Sequence, residues 1–462
     1  MTELRKTNPR QRHKSFKSRF RDWITSEHVS ISILAFIIGV LAGTGAFLLK
    51  RMVSFVSGML TQFIHPGGFN LLLLVFPVVG ILLTGIYTRY ILRRDIEHGV
   101  DKMMKAIADR HYNLPGSSVI SPLIASTLTL GFGGSAGSEG PIAYAGASIG
   151  SNVARLCRMS PHHTKILLGC GAAAGIAGIF KAPVGGAMFA LEVLALDFTT
   201  ASVLAVMVAV IAAGLTTFAL TGYTIDLAFP SMATFEPHLL LSVVILGVLC
   251  GVYSIWYTFV ADKMELFLGK IRNPWVKNIV SGGIISALVF VFPALYGEGY
   301  SVMGEVLGGN YSVLVNYGPF AHCGKEMLPV LLLGIVAVKS MAATATNSGG
   351  GVAGDFAPTL MAGCMLGLMY ALAAQYWLGI DLESGNLAYY GMAGAMAGII
   401  QAPIMAIFIV LEMSGGYTLL LPIAVVATIS FLTVKACNRL SIYGSRKRSR
   451  EQNEGQGEAK EE

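Results

Sequence analysis

Apolar runs recur along this chain, at 31–49, 71–92, 239–260 and 328–338, and several reach the roughly 20 residues that a helix needs to cross about 30 Å of hydrocarbon. A soluble fold has few places to put such segments. Charged residues make up only 13% of the 462-residue chain and hydrophobic ones 54%, against roughly 25% charge in ordinary soluble domains. The solvent for most of this surface is therefore a bilayer, where each spanning segment must satisfy its own backbone groups and helices do so. No alternating strand pattern competes. The first apolar run follows a polar, basic stretch and precedes many more, which reads as a membrane span and not as a cleaved signal peptide.

Charge suggests an orientation. Lys and Arg crowd between Arg5 and Arg21 and again at Arg446, Lys447, Arg448 and Arg450, after the last apolar run. Both ends are therefore expected on the cytoplasmic side of a plasma membrane. The net charge of +7 is read as topology and attraction to anionic lipid, not as nucleic-acid binding. A basic amphipathic helix is expected near 15–25, and an acidic, disordered tail from Glu451 onward, too short for a regulatory domain. The six cysteines are scattered, and the adjacent His162 and His163 stand without a metal-ligand set. No metal or other cofactor is expected. No paired nucleophile and base or phosphate loop suggests an enzyme.

The 54 glycines gather where apolar segments break, notably in LGFGGSAGSEGP, ending at Pro141, and in NSGGGVAGDFAP, ending at Pro358. Irregular backbone at membrane depth survives only where it lines a cavity or is packed in protein. Sliding the chain by about 220 residues lays GAAAGIAGIFKAPVGGAMFALEVL, from Gly171, on GMAGAMAGIIQAPIMAIFIVLEMS, from Gly391, with no gap. Glu192 then falls on Glu412, and each follows an Ala-Pro pair. Two diverged copies follow: 1–28 as a basic N-terminal segment, 29–222 and 223–436 as membrane repeats, and 437–462 as a cytoplasmic tail. Paired broken helices in repeated halves place a substrate site at the repeat interface.

Helix starts carry the chemistry. An N-terminus offers unpaired N–H groups and a partial positive charge of about half a unit, enough to attract an anion without a formal cation. Pro141 and Pro358 suit first-turn positions. Glu139 lies at one such start, where a carboxylate can occupy the anion's place and leave it on protonation; the alternative is a Glu that merely caps the helix. Glu192 and Glu412, matched by the repeat, are expected to pack or cap helices, with a proton route as the alternative.

Gly137-Ser138-Glu139-Gly140-Pro141, the Gly-Asp-Phe-Ala-Pro358 loop, the Ala-Pro repeats and Leu411-Glu412-Met413 together resemble the CLC family of chloride channels and chloride/proton exchangers, over roughly Ala35 to Tyr443. The resemblance implies an all-α polytopic membrane protein of two inverted-topology repeats with about eighteen helical segments. It also implies a homodimer with one pathway per subunit, in a bacterial inner membrane. Glu139 becomes the external gate, Gly140 and the N–H groups of Asp355 and Phe356 line the chloride site, and the Tyr443 hydroxyl contacts the central anion.

Departures from the family pattern bear on mechanism. Where the family has Gly-Ser-Gly-Ile-Pro, this chain has Glu97-His98-Gly99-Val100-Asp101, which puts His98 at the place of a chloride-binding serine. A His turned to water is the alternative. Ser138 stands where a basic residue is common. Asp355 is either an ordinary N-cap or a charge opposing anions. Val193 stands where exchangers of the family have an internal proton glutamate, and valine carries no proton. Passive conduction of chloride or a similar anion is the favoured expectation. A chloride/proton antiporter, a fluoride-selective member and an unrelated proton-coupled transporter are the alternatives.

Overall fold

The computed structural model describes residues 27–63, 70–93, 99–197, 199–222, 227, 239–315, 320 and 324–446. The helix expected near 15–25, residues 94–98 with His98, and the tail from 451 lie outside the described residues.

In chain order the first half comprises α1 (Glu27–Thr61), α2 (Leu72–Ile86), α3 (Gly99–Ala108), α4 (Ser121–Gly131), α5 (Glu139–Leu156), α6 (Pro161–Phe180), α7 (Pro183–Met188) and α8 (Thr200–Thr221). The second half comprises α9 (Leu240–Gly269), α10 (Pro274–Val291), α11 (Tyr300–Leu307), α12 (Ser312–Val315), α13 (Leu328–Ser348), α14 (Phe356–Leu378), α15 (Ser384–Ile400), α16 (Pro403–Ser414) and α17 (Leu420–Ala436). A helical turn at 442–446 follows. The expected all-α architecture of about eighteen segments holds. Among the described residues the only β feature is an isolated bridge between Gly137 and Gly354.

Nine of these helical stretches are long and apolar enough to cross a membrane, and the protein is an integral membrane protein. The pattern of exposure fits a lipid solvent. Along α1, Ala35, Ile38, Ala42, Ala46 and Leu49 are buried while Phe36, Leu41, Leu48 and Phe55 are exposed. Its outer stripe is thus as apolar as its inner one, which water would not tolerate over such an area. The best apolar window of α6 is 89% buried and that of α14 is 83% buried, against 39% for α1. The central helices are sheathed by the others.

Glycine lets the central helices approach backbone to backbone. Gly146 of α5 lies against the Gly171 carbonyl of α6, and Gly150 against Leu167. The second half repeats this, with Gly363 of α14 against Gly391 of α15 and Gly367 against Leu387. A Cβ at any of these four glycines would collide with the facing carbonyl. The small-xxx-small spacing of membrane helix pairs thus appears twice, at equivalent places.

The helix breaks are equally matched. Lys181 and Gln401 both adopt the left-handed conformation, at φ 54° and 62°, and end α6 and α15. Ala182 and Ala402 follow in closely similar non-helical conformations, and Pro183 and Pro403 open α7 and α16. Proline costs nothing at a first turn, where its missing N–H has no intrahelical acceptor. Gly137 and Gly354 donate to each other's carbonyl at 3.0 and 2.6 Å in an antiparallel bridge. Each residue there sees its counterpart as it is itself seen, as in any two-fold contact. The repeats are inverted copies meeting at this bridge.

Candidate functional site

Three helix starts converge at the bridge. α5 begins at Glu139 and α14 at Phe356, directly after the bridged segments. α3 begins at Gly99, whose position leaves no room for a Cβ against the Gly140 carbonyl and Tyr144. Gly140 itself packs on Gly354. Helix geometry leaves the first N–H groups of α5 and α14 without intrahelical acceptors, so the convergence point carries a positive end of each dipole.

Glu139 is 0% exposed. Its Oε1 accepts the Tyr300 hydroxyl at 2.6 Å, and its Oε2 has no hydrogen-bond partner. The carboxyl folds back over Gly137, where a Cβ would occupy the same space. A hydroxyl from the second half holds the side chain. Glu298 accepts the Ser138 N–H at 2.9 Å, taking the place at the start of α5 that a capping side chain would have. The Lys339 ammonium, 0% exposed on α13, donates to Ser135 Oγ at 2.9 Å and lies within electrostatic range of Glu139 and Glu298. Two carboxyls and one buried ammonium thus share the region that the sequence assigned to Glu139 alone.

Asp355 behaves as neither sequence alternative. Its side chain makes no cap to α14. Its two carboxylate oxygens receive Arg446 Nη1 and Nη2 at 2.5 and 3.0 Å, and Asn347 Nδ2 adds a bond at 3.1 Å. Both partners are buried, at 2% and 1% exposure. Arg446, counted from sequence with the flanking basic cluster, turns inward, and a planar guanidinium matches a carboxylate in this two-bonded way. The acidic charge that would oppose an anion is thereby paired. Glu265 of α9 stands 3.9 Å from Arg446 Nε.

Tyr443 lies on the turn at 442–446, 6% exposed, with a hydroxyl that has no hydrogen-bond partner. Phe356 is fully buried and meets Phe180 and Phe189 edge to face, at centroid distances of 6.4 and 5.8 Å. Phe180 in turn meets Tyr300 at 6.5 Å. These rings join the start of α14 to the tyrosine that holds Glu139. Val193 ends a π-turn, Phe189–Val193, and packs half-buried against the core.

Glu192 and Glu412 are caps. Glu412 Oε1 and Oε2 accept the N–H groups of Val184 and Gly185 at 3.1 and 2.8 Å. Glu192 Oε1 and Oε2 accept those of Ile404 and Met405 at 3.4 and 2.8 Å. The structural role expected from their symmetry is the one observed.

Sequence reasoning missed Tyr300, Glu298, Lys339 and Arg446. The first two come from a Gly-Glu-Gly-Tyr stretch whose glycines adopt left-handed φ, which resembles an ordinary turn. Lys339 carried a signal, as a charge inside an otherwise apolar 21-residue helix, and intramembrane charges are functional candidates by default.

Broken helices paired by a pseudo-two-fold, with a buried carboxyl partnered at only one oxygen at their meeting point, define a membrane transport fold. The family described as voltage gated chloride channel matches residues 80–435, and the chain belongs to this family, the CLC family. It is 30% identical over 381 residues to the voltage-gated ClC-type chloride channel ClcB of Salmonella dublin, covering 80% of this chain and 86% of that one. It is 26% identical over 444 residues to the H+/Cl− exchange transporter ClcA of Vibrio vulnificus strain YJ016, covering 90% and 89%. The fold matches the crystal structure of a slow cyanobacterial Cl−/H+ antiporter with TM-score 0.76 at 21% identity, covering 92% of this chain and 99% of that one.

Proposed function

We propose that the chain passes chloride or a similar small inorganic anion across the membrane by passive conduction, with Glu139 as the gate. The observation that carries this reading is the state of the Glu139 carboxyl: fully buried at the start of α5, bound through one oxygen by a single hydroxyl and unpartnered at the other. A carboxylate in that place competes with an anion for the converging N–H groups. On protonation it loses its attraction to them and can swing away, with only Tyr300 to release. Gly140, the N–H groups of Asp355 and Phe356, the Tyr443 hydroxyl and His98 are assigned to the anion.

Passive conduction is favoured over exchange because the position of the family's internal proton glutamate holds no carboxyl. Val193 stands at that position, and the neighbouring Glu192 is bound to two N–H groups of α16. A proton-coupled exchanger is the second reading, and the likeness to an exchange transporter over 90% of the chain favours it. The helix starts, Glu139 and Tyr443 all belong to one chain, so in a homodimer each subunit holds its own pathway. We assign residues 29–222 and 223–436 to the two repeats, both termini to the cytoplasm, and the protein to a bacterial inner membrane.

Anion efflux from liposomes as a function of pH tests the gate. The reading predicts that efflux by the wild type rises as pH falls and that Glu139→Gln conducts equally at every pH. An unchanged pH dependence in that variant removes Glu139 from the gate.

A further inference from the structure

Among the described residues two buried tyrosine hydroxyls have no hydrogen-bond partner, those of Tyr257 and Tyr443. Tyr257, on α9, is 0% exposed. A hydroxyl buried without a partner costs about 1–3 kcal/mol, and a tyrosine that served only to fill the core would do so better as phenylalanine.

The two hydroxyls belong to one region. Tyr257, Ala261 and Glu265 recur at four-residue spacing and so share a face of α9. Along that face Glu265 stands 3.9 Å from Arg446 Nε, and Asp262 accepts the Ser445 hydroxyl at 2.5 Å. The turn at 442–446 therefore lies along this face, and Tyr443 is one helical turn before Arg446. Tyr257 is within electrostatic range of Tyr443, Arg446 and Asp355. Its ring is held in place: Tyr253 meets it edge to face at 6.0 Å, and the Ser340 hydroxyl donates to its backbone carbonyl at 2.6 Å, fixing α9 to α13.

We propose that the Tyr257 hydroxyl is a hydrogen-bond donor to the transported anion, acting beside the Tyr443 hydroxyl and the first N–H groups of α14. This rests on the anion-conducting reading above and adds to it a residue from an element that neither the repeat nor the glycine loops pointed to. The chemistry suits a small anion such as chloride, which accepts several hydrogen bonds at once. Asp355 does not take the role of acceptor, because both its oxygens are engaged by Arg446. Two neutral hydroxyls attract an anion without trapping it, and the nearest acidic charge, Asp355, is met by the Arg446 guanidinium.

Calorimetric titration of chloride into the purified full-length protein, with gluconate as the replacement anion, tests the assignment on the wild type, Tyr257→Phe and Tyr443→Phe. The proposal predicts that Tyr257→Phe weakens chloride binding about tenfold, the worth of one donor to a charged acceptor, while the melting temperature in gluconate stays the same or rises. Unchanged affinity overturns the proposal, and so does a lowered melting temperature with affinity intact, which is the mark of a packing role. Absence of chloride binding by the wild type overturns the anion reading itself and Tyr257 with it. Should Tyr257→Phe fail to fold, tyrosine-labelled wild type and Tyr443→Phe decide by NMR. Chloride then shifts two hydroxyl-bearing carbons in the wild type and one in the variant; no remaining shift in Tyr443→Phe overturns the assignment.

Discussion

Glu192 closes the start of the helix that carries Glu412, and Glu412 closes the start of the helix that leads to Glu192. The donor positions, Val184 and Gly185 against Ile404 and Met405, are related by the same 220-residue shift as the glutamates. The two repeats are thus latched at the interface by a pair of equivalent bonds. Each carboxylate satisfies N–H groups that a helix start leaves open, and a cap of this kind is worth about 1–2 kcal/mol. Glu192→Ala and Glu412→Ala should therefore lower the melting temperature by similar amounts. A thermal melt in detergent checks this, and a large loss from one variant with none from the other would refute the equivalence.

Tyr300 is the one hydroxyl that holds the Glu139 carboxyl in place. Tyr300→Phe keeps the ring against Phe180 and removes the bond. Anion efflux through the variant should be several-fold faster at neutral pH while retaining its rise toward acid, since Glu139 still titrates. Slower efflux would mean that Tyr300 serves the conducting state instead.

Asp355 and Arg446 form a buried ion pair, and breaking one side leaves a charge in the interior at a cost of about 3–5 kcal/mol. Asp355→Asn should accordingly reduce folded yield sharply. Replacing both, as Asp355→Leu with Arg446→Met, should recover most of it, because an apolar pair of similar volume substitutes well for a buried ion pair. Recovery is read from gel filtration and thermal melts; a double variant as unstable as Asp355→Asn would contradict the paired arrangement.

His98 leads directly into Gly99, which packs on Gly140. If its imidazole serves the anion, His98→Ser should change the order of chloride, nitrate and fluoride efflux rates. An identical order returns His98 to a residue facing water.

Much of this fold was legible because the membrane restricts the choices. Long apolar runs with little charge could only be spanning helices, and the repeat could be read because Ala-Pro pairs and glutamates survived in register. Glu139 was legible for the same reason, as an acid set among glycines ahead of a proline. The partners of these residues were not. Tyr300 reaches Glu139 across 161 positions, and Arg446 reaches Asp355 across 91, separations over which a local pattern carries no information. Arg446 also sits in a basic run whose other members read as topology signals, so composition hid an arginine that turns inward. Tyr257 looked like one aromatic among many in an apolar helix; only the absence of a partner for its hydroxyl sets it apart.

Proton movement in liposomes containing the purified protein, under an imposed chloride gradient with the membrane potential controlled, tests the central claim most directly. Passive conduction predicts chloride flux with no linked movement of protons. Uphill proton transport driven by chloride would contradict it and require a proton path that avoids Val193, and the absence of any anion flux would overturn the account as a whole.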